Sequence, residues 1–106
     1  MIVYNKLVRD NIPYIIKKEG KIANIRILDD AEYLTEVKHK LVEEAKELLE
    51  TKSKEQCINE LADVYEVLDQ ILMTNKIDIQ DIEKARIIKN RAKGAFEDKI
   101  FLESVE

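Results

Sequence analysis

Apolar residues recur at three- and four-residue intervals along most of this chain, which predicts three main helices over residues 29–50, 53–75 and 78–94. Each helix carries one continuous apolar stripe, which indicates a face that packs against a neighbour. The stripes are Leu34, Val37, Leu41, Ala45 and Leu48 on the first helix, Cys57, Leu61, Val64, Leu68, Ile71 and Leu72 on the second, and Ile82, Ala85, Ile88 and Ala92 on the third.

Capping residues stand at the predicted ends of these helices. Asp29 with Glu32, and Ser53 with Gln56, have the spacing of capping boxes, in which two side chains and two backbone amides bond reciprocally. Gly94 suits a helix stop because it can adopt the left-handed conformation without strain. The boundaries are therefore indicated independently of the apolar stripes.

A short helix is predicted before the first long one. Asp10 or Asn11 can cap it, Pro13 falls in its first turn, and it runs to about Glu19, with Gly20 as the stop. For Asp10 a cap is the favoured role, although a place in a functional site stays open.

Two short strands are also expected. The segment 22–28 is rich in isoleucine and favours extended backbone, and residues 100–102 could pair with it. The predicted architecture is thus an all-α bundle of three main helices, a short N-terminal helix and two short strands.

Composition limits the class of protein. The chain has 106 residues, of which 45% are apolar and 38% charged, with two glycines and one proline. This composition predicts a single helical domain over 1–106. Its core would be modest, and dimerisation would complete it. A net charge of −4 argues against a protein that coats a nucleic acid polymer. One cysteine, Cys57, and no apolar run of signal or membrane-span length predict a cytoplasmic protein without membrane attachment.

Two pairs of carboxylates carry the candidate chemistry. Glu44 and Glu47 lie on the first long helix and Glu60 and Asp63 on the second, each pair separated by three residues and so on one helix face. At roughly 100° per residue, both pairs border their apolar stripes on the same side. In an antiparallel hairpin the four carboxylates can therefore converge, with Glu60 partly withdrawn from water.

Converging carboxylates repel one another, and a divalent cation removes the conflict. An all-oxygen set favours Mg²⁺, with Mn²⁺ possible, over zinc, and His39 lies on the far side of its helix. Such an ion can activate water for attack on phosphorus, and a carboxylate that does not ligate it can accept the proton. The plainer alternative is that these are solvated charges, since the chain has 22 acidic residues.

The same residues resemble a known family, the MazG-like all-α nucleotide pyrophosphohydrolases, in the branch similar to phosphoribosyl-ATP pyrophosphohydrolase. The resemblance rests on Glu43-Glu44-Ala45-Lys46-Glu47-Leu48, on Asn59-Glu60-Leu61-Ala62-Asp63-Val64, and on the opening run YNKLVRDNIP from Tyr4 to Pro13. The close, Lys93-Gly94-Ala95-Phe96, adds to it, although arginine and glycine are expected where Lys93 and Ala95 stand.

The resemblance implies a function. Glu44, Glu47, Glu60 and Asp63 would ligate magnesium and form the catalytic group, and a nucleoside triphosphate would be split between its α- and β-phosphates into a monophosphate and pyrophosphate. A homodimer or higher homo-oligomer is implied, and housecleaning of non-canonical nucleotides is one role. The nearest alternative is the phosphoribosyl-ATP step of histidine biosynthesis.

Basic and aromatic residues supply candidates for substrate binding. Lys6, Arg9, Lys89, Arg91 and Lys93 can hold the phosphate tail; otherwise they are solvated charges, which for the last three are favourable at a helix C-terminus. Tyr65 and Phe96 could stack on a base, but core packing is the favoured role, and Cys57 is expected to be a buried structural thiol.

Two non-catalytic interpretations stay open. The chain could be a helical interaction module whose acidic face binds a basic partner, which predicts no effect of magnesium on its melting temperature. It could also be a metal sensor, which predicts stabilisation by magnesium without turnover.

Overall fold

A computed structural model describes residues 1–106 and contains helices without any strand. The helices are α1 (Ile12–Lys18), α2 (Asp30–Leu49), α3 (Lys54–Thr74) and α4 (Ile79–Lys93). The predicted all-α class is confirmed, and each predicted helix is present within about two residues of its expected limits. None of the four combines the length and apolarity needed to cross a bilayer.

Capping side chains begin the three long helices, and Asp29 and Ser53 do so as predicted. The side chain of Asp29 accepts a hydrogen bond from the backbone N–H of Glu32 at 2.8 Å, and that of Ser53 accepts one from Gln56 at 3.1 Å. Asp78 accepts from the N–H of Gln80 at 2.9 Å. Each bond satisfies a backbone donor that has no partner within its helix, which is why the helices begin where they do.

The short helix α1 begins differently. Asn11 rather than Asp10 stands at its N-cap, in a helical conformation and without a side-chain capping bond. Pro13 lies in the first turn as predicted, and Gly20 follows the helix with a φ of 78°, in the left-handed region that glycine adopts without strain.

The chain divides into two compact units, Met1–Asn75 and Lys76–Glu106. In the first unit, α2 and α3 pack on each other as a hairpin across the Glu50–Ser53 connection. The hydroxyl of Tyr33 near the start of α2 donates to Gln70 near the end of α3, at 3.3 Å, so the helices run antiparallel. The prediction of one domain over 1–106 stays a prediction.

The apolar core of the hairpin is small. Val37 is the only fully buried apolar side chain, whereas Leu34, Leu41, Val64 and Ile71 are half-buried. Large apolar residues on the same two helices stay exposed, among them Val42, Leu49, Ile58, Tyr65 and Met73. A chain of this length buries a limited share of its surface, and this unit leaves much apolar area uncovered.

The prediction of two short strands is wrong. Residues 22–28 and 100–102 have no strand structure, and Ile22, Ile27 and Phe101 are exposed. A strand needs a neighbour to satisfy its backbone groups, and β-branched residues alone do not supply one. The first segment is instead held by Arg26, whose guanidinium binds both carboxylate oxygens of Glu32 at 3.0 and 2.7 Å.

The second unit contains α4 and the residues that follow it. The apolar stripe predicted for this helix is mostly exposed: Ile82 is half-buried, but Ala85, Ile88 and Ala92 are not. Gly94 ends the helix as predicted, with a φ of 81°. The apolar spacing therefore predicts the helix correctly, but the apolar face of that helix is not buried.

Candidate metal centre

Three carboxylates meet between α2 and α3. Glu44 comes from α2, and Glu60 and Asp63 come from consecutive turns of α3; one oxygen of each lies within 4.8 Å of the others. The three-residue spacing places Glu60 and Asp63 on one face, and the antiparallel pairing brings Glu44 opposite them. We call Glu44, Glu60 and Asp63 the acidic triad.

The triad is drawn away from water. Glu44 is 5% exposed, and Glu60 and Asp63 are half-buried. Oε2 of Glu44 and Oε2 of Glu60 are both buried without a hydrogen-bond donor. A buried carboxylate oxygen without a donor is costly, so both oxygens favour a proton or a cation beside them.

A second acidic group overlaps the first. Glu43, Glu44 and Glu47 on α2 also bring their oxygens within 4.8 Å of one another, with Glu47 exposed. Glu43 is well compensated, because Lys6 Nζ lies 2.9 Å from its Oε1 and Lys40 Nζ lies 3.2 Å from its Oε2. Lys40 also reaches Oε1 of Glu44 at 3.5 Å.

The leading segment, residues 1–9, supplies cations to both groups. Arg9 donates from Nη2 to Oδ1 of Asp63 at 2.6 Å, while Lys6 binds Glu43 on the other helix. With Lys40, three cations face five carboxylates, so two negative charges remain uncompensated when all the carboxyl groups are ionised. That excess equals the charge of one divalent cation.

The pKa values follow this arrangement. Burial, reinforced by hydrogen bonds shared with Glu47 and Glu60, raises the pKa of Glu44 to about 7. Burial likewise raises the pKa of Glu60. Two carboxylates can bond to each other only when one carries a proton, because ionised carboxylates accept and do not donate. The pair therefore retains a proton at a pH where glutamates are ordinarily ionised.

Glu43 behaves in the opposite way. Burial opposes its ionisation, but the hydrogen bonds from Lys6 and Lys40 prevail and lower the pKa of Glu43. The same contact with Glu43 raises the pKa of Lys6, and the bond to Asp63 raises the pKa of Arg9. Charge compensation is thus concentrated on Glu43 and Asp63, whereas Glu44 has only the longer 3.5 Å contact with Lys40 and Glu60 forms no ion pair.

Several predicted site residues lie together and others do not. Glu44, Glu47, Glu60 and Asp63 converge as the wheel geometry indicated, and Arg9 and Lys6 reach the same region. Lys89, Arg91 and Lys93 lie on α4 in the second unit, all exposed, and their contact with phosphate stays a prediction. His39 is exposed and pairs with Glu36, which agrees with its exclusion.

The expectation of core packing for Tyr65 and Phe96 is wrong. Tyr65 is 67% exposed and Phe96 is 99% exposed, because neither residue meets a packed neighbour in its own unit. The thiol of Cys57, expected to be buried, is only half-buried on α3. Apolar character at helical spacing predicts a face, but it does not guarantee that another element covers that face.

The sequence reasoning missed Lys40 and Glu43. Lys40 precedes Glu43 by three residues and Glu44 by four, the spacings at which helix side chains meet, so the signal was present in the sequence. Glu60 is half-buried, in agreement with its expected partial withdrawal from water, but Glu44, for which no burial was predicted, is buried more deeply. The angular positions of residues around α2 and α3 carry no information about the leading segment, whose Leu7, Val8 and Arg9 line a groove together with Glu44.

The triad fits a hard divalent cation. All its donor atoms are carboxylate oxygens from two rigid helices, two of those oxygens are buried without donors, and the local charge is negative. Magnesium and manganese prefer such oxygens. Acidic groups also occur on proteins without any ion, but those are usually solvated, and Glu44 is not.

Comparison with known proteins adds no relative: no family model, curated protein or solved structure matches this chain.

Proposed function

We propose that this chain is a cytoplasmic, magnesium-dependent nucleotide pyrophosphohydrolase that converts a nucleoside triphosphate, canonical or not, into a monophosphate and pyrophosphate. One observation carries the proposal: Glu44 and Glu60 hold buried carboxylate oxygens without donors, side by side, in a triad with Asp63. The acidic spacing that resembles the MazG-like family supports it. Glu44, Glu60 and Asp63 would hold the ion, with Glu47 at the exposed margin.

The residues of the chain divide the remaining tasks. When bound, magnesium supplies positive charge for phosphate oxygens and makes a bound water more acidic. Glu47 is exposed and belongs to the same acidic group as Glu44, so it is placed to accept a proton from water. Arg9 is more than half exposed and can turn its free guanidinium nitrogens to the phosphate tail, in the planar geometry that suits phosphate.

The test is a substrate panel. The purified chain is incubated with magnesium and each common and modified nucleoside triphosphate, and pyrophosphate release is measured. We expect release from at least one nucleotide, reduced about 100-fold or more in Glu60→Gln, since removal of a direct ligand should cost at least as much as removal of a supporting residue.

Asp69→Asn is the matched control, because Asp69 is exposed on the same helix and takes part in no ion pair. Its rate should equal that of the unaltered chain. If no triphosphate gives more pyrophosphate than the Glu60→Gln variant does, the proposed activity is wrong.

The proposal includes a homodimer. Ile58, Leu61, Tyr65 and Leu68 recur at helical spacing on one face of α3 and are exposed, and Val42 and Leu49 are exposed on α2. A second hairpin laid on these residues would complete a four-helix bundle and cover area that a stable monomer rarely leaves open.

Sedimentation velocity over a wide range of protein concentration tests this association. We expect a mass about twice 12.4 kDa. Tyr65→Lys should shift the chain toward monomer, because it places a charge in the apolar face, whereas Tyr14→Lys, at an equally exposed tyrosine of α1, should not. A monomer at every concentration would rule out the dimer.

A further inference from the structure

A groove extends from the acidic triad along the antiparallel hairpin. Its volume is about 250 Å³; Glu44 and Asp63 line it toward one end, and Tyr33 and Gln70 line it toward the other. Asp63 and Gln70 are seven residues apart on one face of α3, a separation of about 10 Å along the helix. That distance is comparable to the span from the α-phosphate to the far edge of the base in an extended nucleotide.

Between the two ends the groove has apolar walls on several sides, and the charged residues Lys40 and Glu66 also line it. Val37 and Val67 come from the helices, and Leu7 and Val8 come from the leading segment. The groove is smaller than the roughly 300–1,000 Å³ typical of sites for drug-sized ligands, so it suits a single nucleoside unit. Apolar walls accept the faces of a heterocycle, which leaves only its edge to be satisfied by polar groups.

Polar groups stand at the far end of the groove. The Tyr33 hydroxyl donates to Oε1 of Gln70 at 3.3 Å, and both side chains are half-buried. With that bond made, the amide nitrogen of Gln70 keeps two N–H donors and the hydroxyl oxygen of Tyr33 keeps lone pairs. A donor and an acceptor thus lie side by side, which matches the adjacent acceptor and donor on the hydrogen-bonding edge of a nucleobase.

From this geometry the structure assigns a base-recognition site: the groove holds the nucleoside part of the nucleotide, and Tyr33 with Gln70 binds the hydrogen-bonding edge of its base. The inference rests on the proposed function, since it takes the triad as the phosphate end. It makes Tyr33 and Gln70 the residues that determine which base is accepted, because a site built to pair a polar edge rejects an analogue that lacks it.

The first experiment titrates nucleosides, without phosphate and without magnesium, into the ¹⁵N-labelled chain. The side-chain amide of Gln70 is observed directly by NMR, and that of Gln80, exposed on α4, is the internal control. We expect at least one of the four common nucleosides to shift the Gln70 amide and leave the Gln80 amide unchanged. Purine riboside lacks part of the hydrogen-bonding edge of a purine base, and 2-pyrimidinone riboside lacks part of that of a pyrimidine. The analogue that corresponds to the preferred nucleoside should bind at least about 10-fold more weakly.

Variants separate recognition from simple loss of structure. Tyr33→Phe removes only the hydroxyl, and Gln70→Met keeps the length of the side chain without its polar atoms. Both variants should bind the preferred nucleoside and its edge-deficient analogue equally, and their melting temperatures should be unchanged. The control Gln80→Met should still bind the preferred nucleoside more tightly than the analogue. In turnover assays the two variants should raise KM for the preferred triphosphate more than they lower kcat.

The outcomes distinguish this inference from the proposed function. If a triphosphate is hydrolysed but nucleosides do not shift the Gln70 amide, or if Tyr33→Phe and Gln70→Met keep the preference for the full edge, the base-recognition site is wrong and the activity stands. If nucleosides shift the Gln70 amide and the variants lose the preference, the site is supported, whatever the turnover assay shows.

Discussion

Replacing Glu44 with glutamine is expected to stabilise the fold and to abolish magnesium-dependent turnover at the same time. The carboxyl of Glu44 is 5% exposed and its pKa is raised to about 7, so the folded chain has a cost of ionising this group that the unfolded chain does not have. A neutral amide of the same shape removes that cost, and its N–H groups can donate to Glu47 and Glu60. Turnover should fall about 100-fold or more because one ligand of the cation is lost.

The pH dependence of stability gives the sign of this effect. Between the usual pKa of about 4.5 and the raised pKa of about 7, the folded chain binds more protons at Glu44 than the unfolded chain, so stability decreases as pH rises through this window. The full change corresponds to at most about 3 kcal/mol. Glu60, whose pKa is also raised, contributes with the same sign.

Thermal melts of wild type and Glu44→Gln at a series of pH values, without divalent ions, measure this pH dependence of stability. The two melting temperatures should approach each other at pH 4.5 and separate by several degrees above pH 7, with the variant higher. Asp69→Asn should follow the wild type throughout. A Glu44→Gln variant that melts lower than wild type above pH 7 would contradict the burial cost on which the site is argued.

Magnesium is expected to raise the melting temperature of the unaltered chain by about 10 °C or more at a concentration near 100 times its dissociation constant. Binding to the folded state alone contributes about 2.7 kcal/mol under that condition, and each kcal/mol shifts the melting temperature of a domain this small by roughly 4–8 °C. The rise in melting temperature caused by magnesium should increase with pH up to about 7, because the cation competes with the proton on Glu44.

Sodium chloride of equal ionic strength is the control for screening, and Glu60→Gln is the control for the site. Neither should reproduce the stabilisation. If magnesium leaves the melting temperature of the unaltered chain unchanged, that result favours a helical interaction module over a metal-dependent enzyme. Stabilisation without pyrophosphate release from any nucleotide would favour a metal sensor.

The helices and the convergence of the four carboxylates could be predicted because both follow from local rules. Helical spacing fixes which side chains share a face, and the Thr51–Ser53 break between α2 and α3 forces their antiparallel pairing, so Glu44 had to approach Glu60. Burial could not be predicted in the same way. Tyr65 and Ile88 occupy regular apolar positions, yet their exposure depends on whether another element covers them.

The same limit explains the two wrong strands and why the carboxylate partners of Lys6 and Arg9 could not be predicted. Ile22 to Ile27 have the composition of a strand, but a strand also requires a partner at a distance in sequence, which composition does not reveal. The contacts of Lys6 with Glu43 and of Arg9 with Asp63 span 37 and 54 residues, and no periodicity in the sequence connects such positions.

The leading segment, although it has no helix or strand of its own, contributes two of the three cations near the carboxylates and part of the groove wall. Shortened versions that begin after Arg9 would lose Lys6 and Arg9, and so alter the electrostatics of the site, while the residues of every long helix stayed in place. Circular dichroism would report a normal protein in such a case, so metal affinity is the quantity to compare between expression variants.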